Sequence, residues 1–180
     1  MCTCIVLEAV LKAIATTHPS LPSKQHFKLP RRLFRSLSSS QEAEGINADV
    51  HAFVEYLFQL RPGPDPNSHD GYALVRAVQA RDVPFIRLLL AHGADPERRD
   101  NLAVMLAIQS KELSIVKLLV ERDERPKASS PGKRRKLKDR VAVTTTMLRV
   151  AVKKQATDIV EWLMQDKSCV PDMWTLMSLR

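Results

Sequence analysis

The chain has 180 residues, 44% of them hydrophobic and 5% aromatic, and carries a net charge of +8. That length supports one domain with a real core, and five glycines are few for a barrel, a sandwich or a phosphate-cradling enzyme. Three cysteines cannot build a disulfide framework, and no apolar run approaches the roughly 18 residues that span a bilayer.

At the start of the chain, Leu7, Val10, Leu11 and Ile14 share one face of a predicted helix over Cys4–Thr16. Such a helix is expected to cap an open end of the fold. Residues 9–41 hold Lys12, Lys24, Lys28, Arg31, Arg32 and Arg35 with no acid, and end in a serine cluster. Basic, serine-rich and acid-free is the composition of a mitochondrial presequence. Glu8, Pro19, Pro22 and Pro30 oppose that reading and favour a flexible linker. Arg31-Arg32-Leu33-Phe34 is similar to the short motif by which substrates dock on cyclins, and its value rests on its being exposed.

Downstream the chain repeats itself. Ala77 aligns with Ala107 and Ala151, at spacings of 30 and 44 residues. Phe85-Ile86 then meets Ile115-Val116 and Ile159-Val160, and Leu88-Leu89 meets Leu118-Leu119 and Trp162-Leu163. Each unit predicts a small-residue helix, a break, and a helix with one apolar stripe. A pair of this kind cannot bury both faces alone, so neighbouring pairs must stack. Phe53-Val54 and Tyr56-Leu57 form a half-unit upstream, 32 residues before their counterparts. Another unit begins at Val170-Pro171, with Trp174, Leu176 and Met177 expected as an apolar cap.

The segment Leu88-Leu89-Leu90-Ala91-His92-Gly93-Ala94-Asp95-Pro96 resembles the end of an ankyrin repeat, with Gly93 capping the second helix at positive φ. Asp70-Gly71 and Arg99-Asp100-Asn101 fall where that family carries its fingers, and the resemblance covers roughly residues 49–180. The family's Thr-Pro-Leu-His signature is replaced by Tyr72-Ala73-Leu74-Val75, Leu102-Ala103-Val104-Met105 and Thr146-Met147-Leu148-Arg149. The resemblance implies an all-α, ankyrin-type helical repeat solenoid with short finger loops and a basic loop insertion. The organisation expected is residues 1–45 as an N-terminal helix and basic Ser/Pro-rich flexible segment, then 46–180 as the repeat domain with an inserted loop over 123–140.

That insertion accounts for the extra length between the second and third units, and residues 122–140 carry nine basic and three acidic groups. Prolines, serines and like charges predict a solvated loop. Lys133, Arg134, Arg135 and Lys136, followed by Lys138, are similar to a nuclear import signal read by an acidic import adaptor. A grip on nucleic-acid phosphates is the alternative for the same residues. Ser130-Pro131-Gly132-Lys133 resembles a proline-directed phosphorylation site beside that run.

No Gly-x-Ser-x-Gly, phosphate loop or His-Glu-x-x-His occurs, and Cys2 and Cys4 have no second ligand pair at zinc spacing. The expectation is therefore a non-enzymatic protein without cofactor or metal, acting as an adaptor, scaffold or inhibitor in the nucleus or cytoplasm. The resemblance places partner-binding positions at His69 and Gln79 in the first full unit, and at Arg98, Arg99, Asn101, Gln109 and Ser110 in the second. In the third they fall on Thr145, Lys153 and Lys154. Arg98, Arg99, Lys153 and Lys154 would bias such a groove toward an acidic partner segment.

Overall fold

The structure is a computed structural model that describes residues 27–35, 37, 44–60, 63–122 and 139–178. Its helices are α1 (Glu44–Gln59), α2 (Ser68–Gln79), α3 (Val83–Ala91), α4 (Arg98–Gln109), α5 (Leu113–Val120), α6 (Thr145–Lys153), α7 (Thr157–Gln165) and α8 (Met173–Ser178). Helices α2, α4, α6 and α8 pack side by side as an inner layer. Behind them, α3, α5 and α7 pair with α2, α4 and α6. The result is the expected all-α repeat solenoid.

The aligned alanines decide how closely the layers meet. Ala77, Ala107 and Ala151 are fully buried. Their carbonyls accept the amides of Asp82, Glu112 and Ala156 at 3.0, 3.2 and 3.0 Å. Each bond spans a turn that contains one left-handed residue: Arg81, Lys111 and Gln155 have φ of 55°, 59° and 55°. A larger side chain at the alanine would hold the outer helix off. The outer helices then bury their stripes, Phe85, Ile86 and Leu89, then Ile115, Val116 and Leu119, then Ile159, Val160 and Leu163.

Local chemistry sets the helix ends. Asp82 caps α3 by accepting the Phe85 amide at 3.0 Å. Thr144 caps α6 by accepting from Met147. Gly93, at φ 87°, ends α3 as expected, and the Ala94 amide reaches back to the Leu89 carbonyl at 2.9 Å.

The half-unit is completed from an unexpected direction. α1 supplies its outer helix and stacks rings on the first full unit, His51 on Phe85 at 4.7 Å and Phe58 on His92 at 4.2 Å. Its inner position is filled by residues 27–37. This strap begins with β1 (Phe27–Lys28) pairing in parallel with β2 (Pro64–Asp65), continues through a 3-10 helix at Arg31–Phe34, and buries Leu29, Phe34 and Leu37. Arg76 holds it down, donating from Nε to the Phe34 carbonyl (3.2 Å) and from Nη2 to those of Arg35 and Leu37 (3.2 and 3.1 Å).

Two expectations are corrected here. Residues 27–37 are not part of a flexible segment, because their apolar side chains complete a core that would otherwise be open. The Arg31–Phe34 motif is not free to dock elsewhere, since Phe34 is buried between Tyr72 and Phe85. The helix expected over Cys4–Thr16 lies outside the described residues.

The far end is corrected as well. α8 packs on α6 through Thr175, its buried side chain, while Trp174, Leu176 and Met177 face solvent rather than forming an apolar cap. Asp172 anchors α8: Thr175 donates its amide (2.9 Å) and its hydroxyl to Oδ1, and Arg149 pairs with Oδ2. The Thr175 bonds, then that with Arg149, hold the Asp172 carboxyl down to about 2. A carboxyl lowered in the folded state stabilises above its ordinary value of 3.8, and that support is lost as pH falls through about 2.

Two outcomes are expected. The Thr175 amide shift followed by NMR titrates with a midpoint near 2, whereas a midpoint at 3.8 would show that the Asp172 cap is not made. Arg76→Met removes donors to three carbonyls, so stability falls by about 2 kcal/mol in urea titrations. In the same variant trypsin cuts faster after Arg31, Arg32 and Arg35, and unchanged cleavage would exclude a docked strap.

Candidate functional site

The fingers are built from two matching turns. In Asp65-Pro66-Asn67, Asp65 Oδ1 accepts the Asn67 amide at 2.9 Å; in Asp95-Pro96-Glu97, Asp95 Oδ1 accepts the Glu97 amide at 3.0 Å. Asn67 ties one unit to the next, donating Nδ2 to the Gly93 carbonyl (3.1 Å) and accepting the Asp95 amide on Oδ1 (2.8 Å). These bonds do part of the bridging expected of the missing Thr-Pro-Leu-His signature.

After each turn the backbone runs left-handed for three residues, His69, Asp70 and Gly71 in one finger and Arg99, Asp100 and Asn101 in the next. Left-handed geometry costs about 1–2 kcal/mol for each residue with a Cβ. It is held by the Gly71 amide on the Asn67 carbonyl (3.1 Å) and the Asn101 amide on the Glu97 carbonyl (3.2 Å). Asp and Asn tolerate the region better than most residues. At Gly71 an added Cβ would lie 3.4 Å from Arg98 Cβ, so successive fingers lie in contact.

The ten predicted partner-binding residues separate into two rims. His69, Arg98, Arg99, Asn101 and Thr145 stand at the N-terminal, finger end of the inner helices. Gln79, Gln109, Ser110, Lys153 and Lys154 stand at the C-terminal end. Along α4 the helical stretch from Leu102 to Gln109 separates the rims by about 10–12 Å. All ten are exposed or half-buried. Asn101 Oδ1 is a buried acceptor with no donor among the described residues.

Charge is distributed differently from the sequence expectation. Arg98 pairs with Asp95 at 3.5 Å, and Asp70, Glu97 and Asp100 are exposed around it, so the finger rim is mixed. On the opposite rim, Lys111, Lys153 and Lys154 are exposed and form no ion pair among the described residues, while Arg81 pairs with Glu112 at 3.3 Å. The basic excess belongs to the C-terminal rim, where helix dipoles favour cations.

Between the rims lies a feature the sequence reading missed. Leu102, Met105 and Leu106 of α4 are only half-buried, although α2, α6 and α5 surround that helix on three sides. They lie on its open side. The signal was present in the run Leu102-Ala103-Val104-Met105-Leu106, which is apolar over more positions than one stripe needs.

The residues that flank the insertion meet at one side chain. Lys167, after α7, reaches Glu121 Oε1 at 3.0 Å and Asp139 Oδ1 at 2.9 Å, and lies 5.2 Å from the Trp162 ring centre. Arg140 adds its amide to the Val120 carbonyl (2.7 Å) and its guanidinium to that of Leu118 (3.2 Å). Burial acts to depress the Lys167 ammonium, but its bonds to Asp139 and Glu121 outweigh that and raise its pKa. An open depression of about 510 Å³ lies beside this clamp, lined by Glu97, Arg122, Asp139 and Arg140 among others. Lys133, Arg134, Arg135, Lys136, Lys138 and Ser130 lie outside the described residues. Among the described residues no group of His, Cys, Asp or Glu could hold a metal.

Residues 43–130 match the family described as ankyrin repeats, in three copies. No curated protein and no solved structure matches the chain. The pair α6–α7 lies beyond the matched segment and continues the same stack.

Lys167→Met is expected to lower stability by about 1–2 kcal/mol in urea, a discounted figure because both carboxylates are partly solvated. A group raised in the folded state stabilises below its ordinary value, here 10.5, and loses that effect as pH rises through the folded value. Wild type and variant therefore converge in strong alkali. A constant difference at all pH would remove the charge from the explanation.

Proposed function

Over residues 43–130 this chain belongs to the ankyrin-repeat family, and from that premise we propose that it is a non-catalytic adaptor or inhibitor that holds a regulatory protein on its inner-helix face. Ankyrin repeats are general protein–protein interaction modules. The observation that carries the finer reading is the half-buried apolar stripe Leu102, Met105 and Leu106, framed by Arg99 on one rim and by Lys153 and Lys154 on the other. An apolar centre inside a polar rim is the usual anatomy of a specific interface. The partner segment this arrangement suits is apolar at its anchor and acidic toward the lysine rim, where charge sets association rate and register.

Placement in the nucleus is supported by the basic run Lys133–Lys136, in a segment whose flanking residues Glu121 and Asp139 both pair with Lys167. The mitochondrial alternative, in which the first 40 residues are removed, would strip Leu29, Phe34 and Leu37 from the core. The fold therefore weighs against it.

Affinity capture by the full chain, quantified by mass spectrometry, tests the proposal. A partner retained by wild type is expected to drop at least tenfold with Lys153→Glu/Lys154→Glu and with Leu106→Ser, and to elute with rising salt. Retention by both variants would sink the inner-face reading. Captured material that disappears on nuclease treatment would favour nucleic acid instead.

A further inference from the structure

The repeat gives an internal standard for how much of each position a neighbouring unit covers. Leu90, Val120 and Met164 occupy the same place on α3, α5 and α7. Leu90 is 8% exposed and Val120 0%, whereas Met164 is 36% exposed. Met164 thus lies open where its counterparts are covered by the following unit.

α8 follows α6 in the inner layer, yet its amphipathic direction is reversed. Met173, Trp174, Leu176 and Met177 span one face at helical spacing and are 71%, 74%, 51% and 67% exposed. Thr175, on the opposite side, is the residue that is buried. With about 150–250 Å² for a large side chain, these fractions amount to roughly 400–650 Å². The largest contiguous apolar patch on a typical monomer is about 300–600 Å² and is often functional, and each partner in a stable interface buries about 800 Å².

We propose that α8 is a tail-to-tail interface on which a second copy of this chain stacks, its own α8 covering the exposed apolar face. A two-fold contact needs a self-complementary surface, and an apolar patch facing its own image satisfies that. Charge permits the approach: residues 141–180 carry a net charge of only +1, the basic excess lying in residues 9–41 and 122–140. At the patch edge Asp172 and Arg149 neutralise one another.

The other occupant within reach is the apolar face of residues 4–16 of the same chain. From Ile14 to Phe27 the sequence spans thirteen residues, about 45 Å when fully extended. The path from the strap across α2, α4 and α6 to α8 takes four steps of about 8–10 Å each. That takes up most of the available length, whereas a second copy meets no such limit. The patch lies at the end of the stack, so this contact leaves the inner face open and stands independently of the partner proposed there.

Sedimentation equilibrium of the full 180-residue chain decides the matter. The wild-type mass is expected to rise from 20.3 kDa toward twice that value, with a Kd of about 1–10 μM. Met173→Asp/Met177→Asp is expected to weaken association at least tenfold without altering the circular dichroism. Trp162 is buried, so acrylamide quenching reports on Trp174 and should fall as wild type associates. A wild type that stays monomeric overturns the proposal, with a shielded Trp174 assigning the patch to residues 1–26 and an accessible one to a different protein. Equal association of wild type and variant overturns it too. Should the double variant misfold, Trp174→Ser gives the same reading.

Discussion

Close approach at Ala77, Ala107 and Ala151 is the constraint on which the rest of the structure depends. A methyl side chain lets the outer helix lie near the inner one, and the alanine carbonyl receives the amide that closes the turn. The left-handed residue in each turn is affordable only because that bond and the packing behind it hold it in place. Once three such pairs exist, their apolar stripes have nowhere to go but against one another. Stacking follows from the alanines, and every surface of interest follows from stacking.

The fingers illustrate how a worn repeat keeps its shape. Without the family's Thr and His contacts, the first two units are tied by Asn67, which satisfies a carbonyl at Gly93 and an amide at Asp95. The left-handed residues with a Cβ in these two fingers are strained, and strain of this kind persists only where the surroundings over-determine it. The consequence is functional: Arg98, Arg99 and Asp100 project from a turn whose backbone has little freedom. Their mixed charge moves the basic character of the inner face to Lys153 and Lys154 at the other end of the helices.

Both ends of the array depart from the repeat, in opposite ways. At the N-terminal end an irregular strap takes the place of a helix, and Arg76 satisfies three of its carbonyls that no helix would otherwise bond. Leu29, Phe34 and Leu37 are buried there. At the C-terminal end a regular helix is present but turned, so that Thr175 is buried and its apolar face meets water. The contrast between Val120 and Met164, equivalent positions with different cover, measures that difference directly.

The sequence by itself determined the repeat and its register, because those properties are periodic and local. Alanine spacing, apolar stripes and Gly93 each act within a few residues of where they are read. The ten residues that the sequence placed in one groove stand on two rims, because helix length separates the two ends of each inner helix. Only tertiary structure decided what fills the half-unit, since nothing in Phe27–Leu37 is periodic and its fit depends on Tyr72, Arg76 and Phe85 some forty residues away. The same holds for α8. Its apolar face is plain in the sequence, but which way a helix turns is settled by what lies beside it, here a cap at Asp172 and a pairing with Arg149 that bury the polar side and leave the apolar one outside.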